Sequence, residues 1–589
     1  MKGKILIIPI IAMSFIFAPL SNIVTAQDEE DEEGKIVARI DFDPKTDGFR
    51  FKNYGRYHDG SNDLDAEDLI LMFGADKVCI EGTTAKDCVL YETADRWMQE
   101  HIEAMRGGHC DGFSVASMRT WLDQPFKGKA TPEQWQKDAG VTSDLEFDDY
   151  LSNYIAYYHS LQGLKEVNTF RAKSFKIPPT GIVKLLIESF QTKKEYYTLG
   201  VGMRVNGKYT RGHSILPFAV EDMGDDVFRI HVYDNNFPGE TKYVTVDSKT
   251  ETWRYRTASD PSKTASDYVG SVKTETLSLK KMSDRNRKKY ECPFGEDTEG
   301  SEGNEGSANA VAEEIYFSFS GEGDLLITDP NGKQIGYDGK NKSEVNQISG
   351  AEIIYDDGGL DLNYSPLYVL PYNAAAKKPY QVLISGKDLK TEVNADLEIA
   401  GPGFVVGLED LLLDTKEELV VSVSPDGQTL TFTASADGET PTIYVTTEDG
   451  QDKPSYSFEV GGVSIDAGKT LTMTVDIDKG KVFFKDNDSN EDAYDVHFER
   501  TNANGTKVKF DQDDLNMKGK DSFEVDLNKW DDKNKPCIKD DDDGDGFEDE
   551  TCGEDGGGNK PPDDGEYNVQ TIFQTGSSPA WFVSYFRSR

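Results

Sequence analysis

A thiol, an imidazole and a carboxylate can together attack an amide, provided the chain brings them within hydrogen-bond reach. The thiol that stands out is Cys110, in "GGHCDGFSVASMRTW", Gly107 to Trp121. Two glycines precede it and let the backbone turn sharply. After it, Phe113, Ser117 and Trp121, with Met118 and Leu122, recur at helical spacing. A cysteine at a helix N-terminus meets free N–H groups and the positive end of the dipole, which favour a thiolate. The same place also suits a buried cysteine that does no more than cap a core helix.

A nucleophilic cysteine needs a base, and the base needs an orienting group. The run "GHSILPFAVEDMGDDVFRIHVYDNN", Gly212 to Asn236, holds both. Two alternating stretches flank the turn-rich "EDMGDD" and predict a hairpin centred on Met223 and Gly224. In that register Val220 faces Val227, and His213 lies opposite Asp234. One face becomes His213, Ile215, Pro217, Ala219, Phe228, Ile230, Val232 and Asp234. The other carries Arg229, His231 and Tyr233 and is partly wet. Opposed residues on one face are in reach of each other, and a slip of one residue would separate them. His231 is a rival base on the wrong face. His109 adjoins the cysteine but points elsewhere at a helix entry. Cys110, His213 and Asp234 lack the fourth ligand or CxxC pair of a zinc site.

Other elements must hold these parts in place. "YYTLGVGMRVNGKYTRGHS" contains Asn206-Gly207, a strong hairpin signal. "PPTGIVKLLIESF" predicts a helix with proline at its start. "FDDYLSNYIAYYHSLQG" predicts another, whose Tyr154, Tyr157, Tyr158 and Leu161 read as core and cleft wall. Trp253 also reads as core.

In that order, "GHCDGFS", "GHSILPFAV" and "VYDNNFPGE" resemble the Cys-His-Asp/Asn core of the papain-like superfamily. The nearer likeness is to its bacterial branch, with the bacteriocin-processing peptidases and transglutaminase-like proteins. The resemblance covers roughly residues 40–290. It implies an α+β papain-like domain, with Cys110 as nucleophile, His213 as general base and acid, and Asp234 as orienter. Asn235 is a second candidate for the third role, since some members use asparagine. His109 is a secondary candidate beside the nucleophile. Many members carry an oxyanion-donating glutamine a few residues before the cysteine. Here the residue six before Cys110 is Ala104, and Gln99 is too far back to map. The Cys110 N–H, with His109 or another group, is left to hold the oxyanion. Acyl transfer and a degenerate enzyme therefore stay open beside hydrolysis.

The 589 residues exceed one core. Lys2 and Lys4, an apolar run from Ile5 to Leu20, and Val24-Thr25-Ala26 predict a signal peptide over 1–26. No later run is apolar for long enough to span a bilayer, so a secreted or cell-surface protein is expected. The net charge is -43, and loss of the two signal lysines leaves about -45. Such a field repels nucleic acid and anionic membranes.

An acidic leader (27–34) precedes the papain-like domain (35–294). A Gly/Ser/Glu linker follows (295–310). Short alternating strands with turn signals then predict two all-β sandwich modules, at 311–400 and 401–530. A cell-surface or glycan ligand is the partner expected for these. An acidic loop and linker (537–565) and a tail (566–589) complete the chain.

Six cysteines in an exported chain should mostly pair. Cys79–Cys88 and Cys537–Cys552 predict local disulfides, and Cys110 could pair with Cys292. "DDDGDGFED" places carboxylates at alternate positions, as calcium requires. It resembles a thrombospondin type-3 calcium repeat, with ligands Asp541, Asp543, Asp545 and Asp549 and the Phe547 carbonyl. The expectation is a secreted cysteine peptidase-like hydrolase acting on a protein or peptide, with Ca2+ in the C-terminal loop and no cofactor at the catalytic site. The rivals are a surface-binding β-sandwich protein with a degenerate papain-like domain, and a transglutaminase-like acyl transferase.

Overall fold

The computed structural model describes residues 34–55, 63–257, 266–294, 314–358, 365–448, 453–488, 492–517, 522–530, 536–540 and 571–572. Among these, strands dominate, and every α-helix lies before residue 193. An α+β part is thus followed by a β-rich part, as expected. The signal segment, the leader up to residue 33, the linker, and Asp541, Asp543, Asp545, Phe547 and Asp549 of the acidic loop lie outside the described residues.

The first sheet is antiparallel. Its strands run in the order Leu277–Lys281, Tyr197–Val205, Lys208–Gly224, Val227–Tyr233, Thr241–Asp247, Thr252–Thr257 and Ser266–Ser271. Lys35–Arg39 pairs with the far half of Lys208–Gly224. Asn206 (φ 52°) and Gly207 (φ 81°) both take the left-handed conformation that a tight two-residue hairpin turn demands.

The next hairpin differs from its expected register. Its turn falls at Asp225 (φ 48°) and Asp226 (φ 68°), short polar residues that tolerate left-handed backbone. Val220 pairs with Ile230 rather than Val227, and the ladder slips at Pro217/Ala219 and again at Asp222/Gly224. Each bulge adds a residue to one strand, which alternation alone does not count. His213 therefore pairs with Val201 on the other neighbour. Tyr233, expected on the wetter face, is fully buried.

The cysteine helix spans Cys110–Trp121 and starts where the glycines predict. Gly108 has φ 101°, which only glycine adopts easily. Every residue from Cys110 to Thr120 is buried, so this helix is the centre of the α+β part. It crosses the tyrosine-rich helix Asp149–Ser160 closely, because a Cβ on Gly112 would strike the Ile155 carbonyl oxygen. Tyr154, Tyr157, Tyr158 and Leu161 are core, as is Trp253. The proline-initiated helix runs Pro179–Thr192.

Beyond residue 313 the strands form two ten-stranded antiparallel sheets. Glu418–Val423 shows why: Leu419, Val421 and Val423 are buried while the residues between them are not. Each sheet draws strands from both sides of residue 400, and one apolar cluster runs from Ile315 to Trp530. The expected division at 400/401 falls inside a hairpin between Val393–Gly401 and Phe404–Leu413. It is not marked by a break in either sheet.

The two parts are packed together. Arg96 forms ion pairs with Glu409 and Glu459, and its guanidinium lies 3.8 Å above the Tyr444 ring. Tyr316, Ile354, Val369, Val405 and Tyr444 belong to the same apolar cluster as the first sheet. Cys79 and Cys88 form a disulfide, as predicted. Cys110 is a thiol, not bonded to Cys292. Cys537 carries a disulfide, and Cys552 lies outside the described residues.

Candidate active site

Three elements meet at the start of the cysteine helix. The Lys208–Gly224 strand brings His213 and Ser214. The end of the Val227–Tyr233 strand brings Asp234 and Asn235. The segment Tyr355–Gly358, from the β-rich part, crosses in front of them.

His213 and Asp234 are in contact despite the altered register, with Nε2 and Oδ1 2.8 Å apart. Both side chains are fully buried. Asp234 Oδ1 also accepts the Asn236 N–H (2.9 Å), and Oδ2 accepts the Tyr255 hydroxyl (2.5 Å). Burial opposes the charge on Asp234, but the His213 ring and these donors hold its carboxyl below the usual range. With Nε2 so engaged, His213 Nδ1 is left without a hydrogen-bond partner among the described residues. Such a buried nitrogen is costly unless something uses it.

Cys110 Sγ donates to the Asp357 carbonyl (2.7 Å) and accepts the Ser214 N–H (3.1 Å). The thiol is fully buried. Burial pushes its pKa well above the ordinary value and the nearby Asp357 carboxylate adds to this, while the Ser214 N–H opposes. In this arrangement Cys110 is a neutral thiol, not a thiolate.

Asn235 does not bond to His213. Its Nδ2 donates to the carbonyls of Cys110 and Ser214, each at 3.1 Å, and so ties the helix to the histidine strand. His109 is turned away as well. Its Nδ1 meets the Tyr54 carbonyl at 2.9 Å, and burial, then His159, push its pKa down to about 3.

Asn53 was not among the residues that the sequence singled out. Its Nδ2 donates to the Gly358 carbonyl oxygen (3.1 Å), and the Cys110 N–H donates to the same oxygen (3.3 Å). Asn53 is held by its own N–H to the Asn235 carbonyl (3.0 Å) and by the His109 N–H on its Oδ1 (2.8 Å). Two donors converging on one carbonyl oxygen are what a tetrahedral oxyanion requires. No local motif marks Asn53, which lies 57 positions before the cysteine in "FKNYG".

A buried charge network lies behind the site. Asp111 pairs with Arg285 (2.5 Å) and Lys280 (2.9 Å). Lys280 also pairs with Asp357 (2.8 Å), and Arg171 holds both oxygens of Asp357 at 2.7 Å. Burial raises the pKa of both carboxyls, yet these cations, Arg285 foremost at Asp111 and Arg171 at Asp357, hold them below the usual range. Asp68 pairs with Lys127 (2.9 Å). Chemically, the assembly offers a thiol, an imidazole with one open nitrogen, a carboxylate behind it, and a two-donor cradle for a carbonyl oxygen. No family model, no curated protein and no solved structure matches this chain.

Proposed function

We propose that the chain is an exported cysteine peptidase-like hydrolase that cleaves amide bonds with Cys110, His213 and Asp234. The observation that carries this is the convergence of the Cys110 N–H and Asn53 Nδ2 on one carbonyl oxygen, beside a thiol and an aspartate-oriented imidazole. A helix with cysteine at its N-terminus, packed on an antiparallel sheet bearing histidine and aspartate, supports a papain-like domain.

In the reaction, His213 Nδ1 takes the thiol proton and the thiolate attacks the bound carbonyl carbon. Asn53 and the Cys110 N–H hold the oxyanion. The imidazolium gives its proton to the leaving amine, and water then releases the thioester. Asp234 at Nε2 leaves Nδ1 as the nitrogen free to take the thiol proton, and stabilises the ring's positive form. Export rests on the N-terminal lysines and apolar run. Calcium in the Asp541–Asp549 loop rests on its spaced carboxylates, and a surface ligand for the β-rich part rests on its sandwich character alone.

The test is hydrolysis of a generic protein substrate by the purified chain, against Cys110→Ala, His213→Ala and Asn53→Ala. Loss in all three supports the reading. Activity that survives Cys110→Ala overturns it. Incorporation of an added amine into the acyl product would favour transfer over hydrolysis.

A further inference from the structure

The segment Tyr355–Gly358 lies in the site as a substrate would. The Gly358 carbonyl oxygen occupies the two-donor cradle. A Cβ on Gly358 would strike the Gly107 carbonyl oxygen, so the position next to the cradle admits glycine alone. The preceding residue, Asp357, fills a pocket built for a carboxylate. Arg171 grips both its oxygens, Lys280 and Tyr209 add to them, and Gln162 accepts its backbone N–H at 3.0 Å. The pocket exists because Gly200 and Gly212 lack side chains: a Cβ on either would press on the Asp357 carboxylate. Arg171 also donates to the Tyr355 carbonyl. Arg171 and Lys280 are both almost wholly buried. Without an anion there Arg171 would stand as a costly unpaired charge, while Lys280 would keep Asp111 as its partner.

We infer that the chain is its own first substrate: Cys110 cleaves the peptide bond that follows Gly358, and the site selects Asp-Gly on the acyl side of the bond cut. This rests on the peptidase reading above. Cys110 Sγ, its proton passed to His213, bonds to the Gly358 carbonyl carbon. The C–N bond to the next residue breaks, and that nitrogen leaves as an amine with the proton from His213. Water then adds its hydroxyl to the Gly358 carbonyl carbon, the C–S bond breaks, and the other water proton passes through His213 to Cys110 Sγ. The Gly358 acid gives its proton to solvent and ends as a carboxylate. Until cleavage the segment keeps other substrates out. Afterwards its release exposes Cys110 and removes the Asp357 carboxylate from beside the thiol. The pocket left behind takes peptides with aspartate followed by glycine.

The experiment follows the purified full chain by intact mass and N-terminal sequencing, under reducing conditions. The expected result is one cut after Gly358, absent in Cys110→Ala, at a rate unchanged by 100-fold dilution, about the range that separates cis from trans reaction. Asp357→Ala should slow it by roughly 100-fold or more, since buried Arg171 loses its carboxylate partner and Lys280 loses one of its two. Gly358→Val should block seating of the segment, leave the chain uncut, and open the site to iodoacetamide and to a synthetic peptide of residues 353–362. An intact wild-type chain, with Gly358→Val alkylated at Cys110 and cleaving added peptides, overturns self-cleavage and leaves a peptidase blocked by a plug. A cut that persists in Cys110→Ala overturns it too. Absence of any cut, of alkylation and of peptide hydrolysis in both chains overturns the peptidase reading itself.

Discussion

Removing one donor from the carbonyl cradle should cost more in rate than in folding. Asn53 Nδ2 lies 3.1 Å from the Gly358 oxygen and the Cys110 N–H lies 3.3 Å away. With Asn53 lost, the remaining donor is the longer of the two. Loss of one oxyanion donor costs about 2.7–4 kcal/mol of transition-state stabilisation, or about 100- to 1000-fold in rate. Asn53→Ala also strips the His109 N–H of its buried acceptor, a structural cost of about 1–3 kcal/mol. Asn53→Asp separates the two effects. It keeps an oxygen for the His109 N–H but presents an acceptor, not a donor, to the carbonyl. The assay is the first-order rate of cleavage after Gly358, or of the 353–362 peptide in the Gly358→Val background, with thermal melting alongside. Both variants should be slow by about 100-fold or more, and Asn53→Asp should stay folded at the assay temperature. Rates within about fivefold of the parent in both would refute the cradle as an oxyanion site.

Other predictions concern the scaffold. Asp111, Asp234 and Asp357 all have depressed folded-state pKa values. Their stabilisation is therefore present above the ordinary carboxyl value of about 4 and is lost as pH falls through the lower folded values. Urea unfolding of Cys110→Ala should show stability dropping steeply below about pH 4, and less so when Asp111→Asn is added. Gly112→Ala drives a methyl into the Ile155 carbonyl and should destabilise by about 1–3 kcal/mol, read as a lower Tm. Replacing both Cys79 and Cys88 by serine should cost about 2–3 kcal/mol through a more open unfolded chain, again read by denaturant unfolding.

Much of the site was legible before the fold. The helix after Cys110 and the Asn206-Gly207 turn follow from glycines, periodicity and turn chemistry. The meeting of His213 with Asp234 was expected from a strand pairing that the fold does not keep. The hairpin register was not legible, because the turn at Asp225-Asp226 shifts the ladder by about four positions and the two bulges each take one back, leaving about two at its far end. The His213–Asp234 contact survives since Asp234 lies just past the strand end, where its side chain is not bound to the ladder. Asn53, Arg171, Lys280 and Asp357 carry no local signature. They come from four separate stretches of chain and become a site through tertiary packing alone. Asp357 and Gly358 belong to no motif singled out in the sequence, and only their seat beside Cys110 gives them meaning. Likewise, alternation reveals strands but not how many sheets they share, which is why one continuous pair of sheets crosses the expected boundary at residue 400.

The most direct measurement is the pH dependence of Cys110 alkylation in Gly358→Val, with and without His213→Ala. A Cys-His pair freed of the segment should react well below the ordinary thiol value of about 8.5, and His213→Ala should abolish that reactivity at neutral pH. Reactivity that follows only ordinary thiol ionisation, unchanged by His213→Ala, would contradict a nucleophilic Cys110.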